Sequence, residues 1–213
     1  MKKNNTMRIA AGLAVAALLS TCLVSGTYAK YTTGDTSNDT AQVAKFGVTV
    51  TAADGSAFKT AYDGTVVSDN GTDRVVAPGT AGQMTAVQLS GKPEVKVAVS
   101  NDATVDLGEN WKVGTDFYCP LEVTVGTVTL KGTDSAYTSV DDFEAAIKNE
   151  IDGTSATYDA NANLATNGCP VISWKWAYTG NDDTKDTALG DAAAAGNAAT
   201  ISISVKTTVT QID

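Results

Sequence analysis

Ile201-Ser202-Ile203-Ser204-Val205-Lys206-Thr207-Thr208-Val209-Thr210-Gln211 alternates apolar or β-branched residues with polar ones throughout. Successive side chains of an extended chain point to opposite faces, so Ile201, Ile203, Val205, Thr207 and Val209 share one side. Period two over this length predicts a half-buried β-strand. The same pattern recurs upstream in Phe46, Val48 and Val50, and in Val95, Val97 and Val99. It returns in Met84, Ala86 and either Val87 or Leu89, and in Val123 and Val125, with Val128 and Leu130 after a phase shift at Gly126. Ile172, Trp174, Trp176 and Tyr178 put large side chains on one face. Threonine fills many of the opposite positions, where its branched Cβ suits a pleated surface.

Turn chemistry agrees with a strand-rich fold. Asn70-Gly71, between Val66-Val67 and Val75-Val76, predicts a type I′ hairpin. Pro78-Gly79 predicts the centre of a type II turn. One stretch has a different period. Ser139 can cap a helix whose first turn holds Asp141 and Asp142. Val140, Phe143, Ile147 and Ile151 then form an apolar stripe, and Gly153 ends it. Asp191–Ala199 is Ala-rich and can hold a helical turn, and Ser155–Gly168 is the best candidate for a long surface loop. About nine strands and this helix predict an all-β fold, a jelly-roll-type β-sandwich with one inserted α-helix at about residues 139–152. There is no internal repeat and no interdomain linker.

The N-terminus reads as a targeting segment. Lys2, Lys3 and Arg8 precede an apolar run, Ile9–Val24, and Thr27 and Ala29 place small residues before a cut after Ala29. That order predicts a secretory signal peptide over residues 1–29. The run is shorter than the roughly 20 residues of a bilayer span. The working chain is then a single domain, Lys30–Asp213, secreted or at the cell surface and without a membrane anchor. A lipoprotein reading of Leu19-Ser20-Thr21-Cys22 is weaker, because threonine is a poor residue before a lipidated cysteine. Loss of three basic residues takes the net charge from −9 to −12. Such a surface repels nucleic acid and anionic lipid.

Cys119 and Cys169 each precede a proline. In an exported protein they are a candidate disulfide, worth about 4 kcal/mol in the chain-entropy account. Two buried thiols is the other reading.

Catalytic chemistry finds little to stand on. The chain has no histidine. That removes HExxH metalloproteases, Ser-His-Asp triads and Cys-His dyads. Asp-Thr/Ser-Gly is absent, and no glycine-rich loop joins a strand to a helix to cradle phosphate. Glu94, Glu109, Glu122, Glu144 and Glu150 are scattered and read as solvated rather than as a glycosidase pair. No catalytic residue and no cofactor is therefore expected. Two acidic segments are weak Ca²⁺ candidates: Asp63–Asp73, and Asn181–Asp186 with Asp182, Asp183 and Asp186. Neither has EF-hand spacing, Lys185 sits inside the second, and Asx-type turns explain both more simply. Trp174, Trp176 and Tyr178 read as a core face before they read as a sugar platform.

Several short motifs, in order, resemble the TasA/camelysin family of exported biofilm-fibre proteins. They are Thr27-Tyr28-Ala29 with a polar stretch before Phe46-Gly47-Val48-Thr49-Val50, and Val76-Ala77-Pro78-Gly79-Thr80. Trp174-Lys175-Trp176 with Asp183-Thr184-Lys185-Asp186-Thr187-Ala188-Leu189-Gly190 follows, and then Val205–Ile212. The resemblance implies processing by a signal peptidase and a filament built from copies of this chain, head to tail. It implies an N-terminal arm, about Lys30–Asp39, that donates a strand to the next subunit, led by Lys30, Tyr31, Thr32 and Thr33. The metallopeptidase activity implied by the camelysin name does not carry over, because the ligands are missing. A monomeric adhesin or carbohydrate-binding β-sandwich is the alternative expectation, and a carboxylate hydrolase a third.

Overall fold

The closing segment forms the last strand, β13 (Ser202–Gln211), which pairs antiparallel along its whole length with β6 (Val97–Asp106). The structure, a computed structural model, describes residues 42–52, 57–85, 87–166, 170–178, 180 and 182–212. Residues from Phe46 onward form one compact unit.

The other strands are β1 (Val48–Ala52), β2 (Ala61–Tyr62), β3 (Val66–Val67), β4 (Ala81–Thr85), β5 (Val87–Gly91), β7 (Lys112–Val113), β8 (Asp116–Phe117), β9 (Leu121–Val125), β10 (Val128–Lys131), β11 (Ala156–Tyr158) and β12 (Val171–Trp176). Two helices are described, α1 (Val140–Asp152) and α2 (Asp183–Ala194). A four-stranded antiparallel sheet runs β10-β9-β12-β4, and a three-stranded one runs β11-β6-β13. β1-β5, β2-β3 and β7-β8 form two-stranded pairs. The protein is thus mostly β, a sandwich of antiparallel sheets with helices. A jelly roll needs eight strands in two sheets; among the described residues the second main sheet has three.

The alternation seen in sequence sets the core. Leu121, Val123, Val125, Ile172, Trp174 and Trp176 line the inner face of the larger sheet. Ala103, Val105, Ile203 and Val205 of the smaller sheet join the same apolar cluster, and α1 adds Phe143, Ile147 and Ile151. Leu89, Val97, Val99 and Leu164 form a second cluster. Asn101 lies between the two on the inner row of β6. Its Nδ2 donates to Thr154 Oγ1 at 2.9 Å, and its Oδ1 accepts from Thr207 Oγ1 at 2.6 Å. A buried amide is tolerated because it is paired in this way.

Helix α1 matches its expectation, with Ser139 Oγ accepting from Asp142 N at 3.1 Å. Three local readings change. The single helix becomes two: Asp182, read as part of an acidic loop, caps α2, its Oδ1 accepting from Thr184 N and Lys185 N at 3.1 Å each. Only Asp186 and Leu189 of α2 are buried, so it lacks the apolar stripe that reveals α1. The Asn70-Gly71 hairpin does not form. β3 pairs back with β2 across Asp63 and Gly64, both of positive φ, while Asn70 Oδ1 accepts from Ser68 Oγ, Thr72 N and Asp73 N. A side-chain acceptor that closes its own loop competes with the type I′ geometry. Residues 155–168 are more than a surface loop, since β11 pairs with β6 and Leu164 is wholly buried. Pro78-Gly79 keeps its type II turn, with Gly79 at φ +86 and Thr80 N donating to Ala77 O at 3.0 Å.

Candidate assembly edge

The two sides of the β6-β13 pair are treated very differently. Residues 97, 99, 101, 103, 105 and 107 send their side chains inward and, by the antiparallel pattern, their N–H and C=O groups away from β13. At the near end β11 takes Val97 and Val99 as ladder partners. Further along, side chains of α1 and the residues after it serve the same backbone. Ser155 Oγ accepts from Asn101 N at 3.2 Å, Asp152 Oδ1 from Ala103 N at 2.7 Å, and Glu144 Oε1 from Leu107 N at 2.6 Å. Lys148 Nζ donates to Ala103 O at 2.8 Å and to Asp152 Oδ2 at 2.7 Å. Helix side chains have replaced a missing strand.

Among the described residues no helix side chain is seen to serve the backbone of β13 at Ile203 and Val205. Both backbone groups of Ala103 face α1, so Ala103–Val205 is a non-hydrogen-bonded pair and Val205 also turns its N–H and C=O away from β6. Ile203, two residues away, does the same. Among the described residues β13 pairs with β6 alone. Its first two residues, Ser202 and Ile203, border a groove of about 1170 Å³. Phe58, Val76, Met84, Ala199, Ile201 and Ile203 give that groove apolar walls, and Asp69, Asp73 and Arg74 stand in its lining too. Met84 belongs to β4, the outer strand of the larger sheet, so the groove runs between the edges of the two sheets. Among the described residues every buried side-chain N and O atom has a partner.

The residues singled out in the sequence fall elsewhere. Lys30, Tyr31, Thr32, Thr33 and the rest of the arm lie outside the described residues, as does the signal segment. Cys169 does too; Cys119 is a free thiol, wholly buried, and burial pushes it up to about 12. Asp182 is a cap. Asp183 opens α2. Asp186 is a buried anchor: Oδ1 accepts from Tyr118 OH at 2.7 Å and Oδ2 from Trp176 Nε1 at 3.2 Å. Burial, then the Asp186 carboxylate, raise the Tyr118 hydroxyl above its ordinary value. Among the described residues no group of three His, Cys, Asp or Glu is placed to hold a metal ion. Replacing Asp186 with alanine strands two buried donors and is expected to cost about 2–4 kcal/mol. Chemical denaturation checks this, and an unchanged midpoint refutes it.

The aromatic stripe divides. Trp174 and Trp176 are buried; Phe58 stacks on Trp174 at 5.2 Å, and Trp111 packs on Trp176 at 5.9 Å. Only Tyr178 is exposed, at 76 %. On the outer face of the larger sheet Glu122 meets Lys175 at 3.0 Å and Lys131 at 3.3 Å. Partial burial opposes its charge, but the two lysines prevail and hold Glu122 below its usual range. For Asp152 burial likewise opposes, while Lys148 and the Ala103 amide lower it. A depressed folded pKa stabilises above the unfolded value, about 4 for these groups, and that stability is lost as pH falls through the folded value. The melting temperature is expected to hold near neutrality and drop below about pH 4; a flat profile from pH 7 to pH 3 refutes this.

Comparison with family models, with curated proteins and with solved structures gives no match for the chain. Among the described residues no helix is long and apolar enough to cross a membrane. The α1 cover of β6 was invisible in the sequence. Glu144 reads there as one more solvated acid, and only the fold brings it to Leu107.

Proposed function

We propose that this protein is a secreted structural subunit of an extracellular filament, in a biofilm matrix or at a cell surface, that assembles by N-terminal strand donation. The observation that supports this most is the asymmetry of the smaller sheet, with β6 covered along its outer side and β13 paired on one side among the described residues. An added strand satisfies edge amides and carbonyls, and an apolar groove beside the edge takes alternate side chains. The donor is the arm Lys30–Asp39, with Tyr31 as its one large apolar side chain. A fourth strand beside β13 completes two four-stranded sheets, which is the jelly-roll arrangement. Donation from each subunit to the next is heterologous and does not close on itself, so it propagates. The order of TasA/camelysin-like motifs fits this reading. A carbohydrate-binding role has less support, because Trp174 and Trp176 are consumed in the core.

Electron microscopy of the secreted chain is the test. Filaments are expected. Only monodisperse monomers, at every pH, salt and concentration tried, overturn the reading.

A further inference from the structure

We infer that helix α1 and Ser155 are an edge guard, a built-in block that denies the stretch of β6 beyond β11 to any incoming strand. Four side chains meet the outward-facing backbone of Asn101 and Ala103 in β6 and of Leu107 just past its end. Ser155 serves Asn101 N, Asp152 and Lys148 serve Ala103 N and O, and Glu144 serves Leu107 N. The chemistry matches a strand's own, acceptors on the amides and a cation on the carbonyl, so a β-strand competes for the same groups. The guard is held in place independently of those contacts. Phe143, Ile147 and Ile151 are wholly buried beneath it, and Ser139 caps its start. Lys148 ties Asp152 and Asp102 together at 2.7 and 3.0 Å, fixing the carboxylate in its aim at Ala103. An unguarded stretch of β6 would be a further template for strand pairing, at which an assembly can branch or thicken. The partner excluded is an extended strand of a second copy of this chain.

The inference extends the proposed function but is read as a difference between variant and parent, so it stands or falls whether or not the parent forms filaments. Two triple variants are compared in the full secreted chain. Glu144→Ala/Asp152→Ala/Ser155→Ala removes the acceptors; Glu144→Gln/Asp152→Asn/Ser155→Thr keeps an oxygen at each place. The alanine set is expected to speed amide exchange at Ala103 and Leu107 at least tenfold. It should also add lateral association, seen by sedimentation and as thickened or branched particles in micrographs. The oxygen-keeping set should behave as the parent. An alanine set that folds, exchanges as the parent does and associates no further overturns the guard. If the triple alanine chain does not fold, Asp152→Ala alone is read by the same exchange and sedimentation, with the same two outcomes at Ala103.

Discussion

Gly82→Ala is expected to cost about 3 kcal/mol, the upper end for overpacking, and to lower the melting temperature by roughly 10 °C. Gly82 lies in β4 opposite Trp174. A Cβ there would sit 1.8 Å from the Ala57 carbonyl oxygen and 2.9 Å from its carbon. Both are backbone atoms and cannot swing aside as the end of a long side chain does. The same Cβ comes within 2.7 Å of Trp174 Nε1, which donates to Ala57 O at 2.8 Å. Any shift that relieves the clash breaks that buried bond. It also parts Trp174 from Phe58, stacked at 5.2 Å, and from Tyr62, edge-on at 6.2 Å. Folded domains are stable by only about 5–15 kcal/mol, so this loss takes a large share. Thermal and denaturant melts measure it; a midpoint equal to the parent's contradicts the packing described for β4.

Removing Lys30–Asp39 is expected to abolish filaments and leave the fold unchanged. The core residues named above all lie downstream of the arm. The mirror experiment acts on the acceptor. Ala198 is exposed and lines the groove beside Ile201 and Ile203. Ala198→Arg fills that space with a long charged side chain at little cost to stability, within about 0.5 kcal/mol for an exposed site. It should raise the concentration needed for assembly tenfold or more. The two variants are complementary: each lacks one half of the contact, so mixing them restores single junctions without restoring long filaments. Undiminished assembly by the arm-deleted chain refutes the donor role, and undiminished assembly by Ala198→Arg refutes the groove.

The parts of this architecture that are legible in the sequence are those written at short range. β13 declares itself because one residue in two faces the core for its whole length. α1 declares itself because Ser139, two acids and a four-residue stripe agree. α2 does not, because it touches the core through Leu189 and a carboxylate rather than a stripe. Asp186 looks like a loop acid until the fold brings Tyr118 and Trp176 to it. Asn70-Gly71 misleads because its own side chain closes a loop that the dipeptide rule assigns to the backbone, while Asp63-Gly64 makes the turn instead. The candidate edge itself is partly legible. That β13 is a strand can be read from residues 201–211, but that it is an outer one depends on where β6, α1 and the larger sheet come to rest. Those are contacts across tens of residues, such as Ala103 with Asp152, and no local pattern records them.

The central claim is that β13 receives its next strand from another molecule. A photo-crosslinking residue placed at Tyr31 tests it directly, in assemblies grown from an equal mixture of isotopically light and heavy chains. The account predicts crosslinked peptides that join position 31 to the Ile201–Val205 region and carry one light and one heavy partner in the statistical proportion. Crosslinks confined to peptides of matching isotope mean that the arm folds back on its own sheet, and that result contradicts the account.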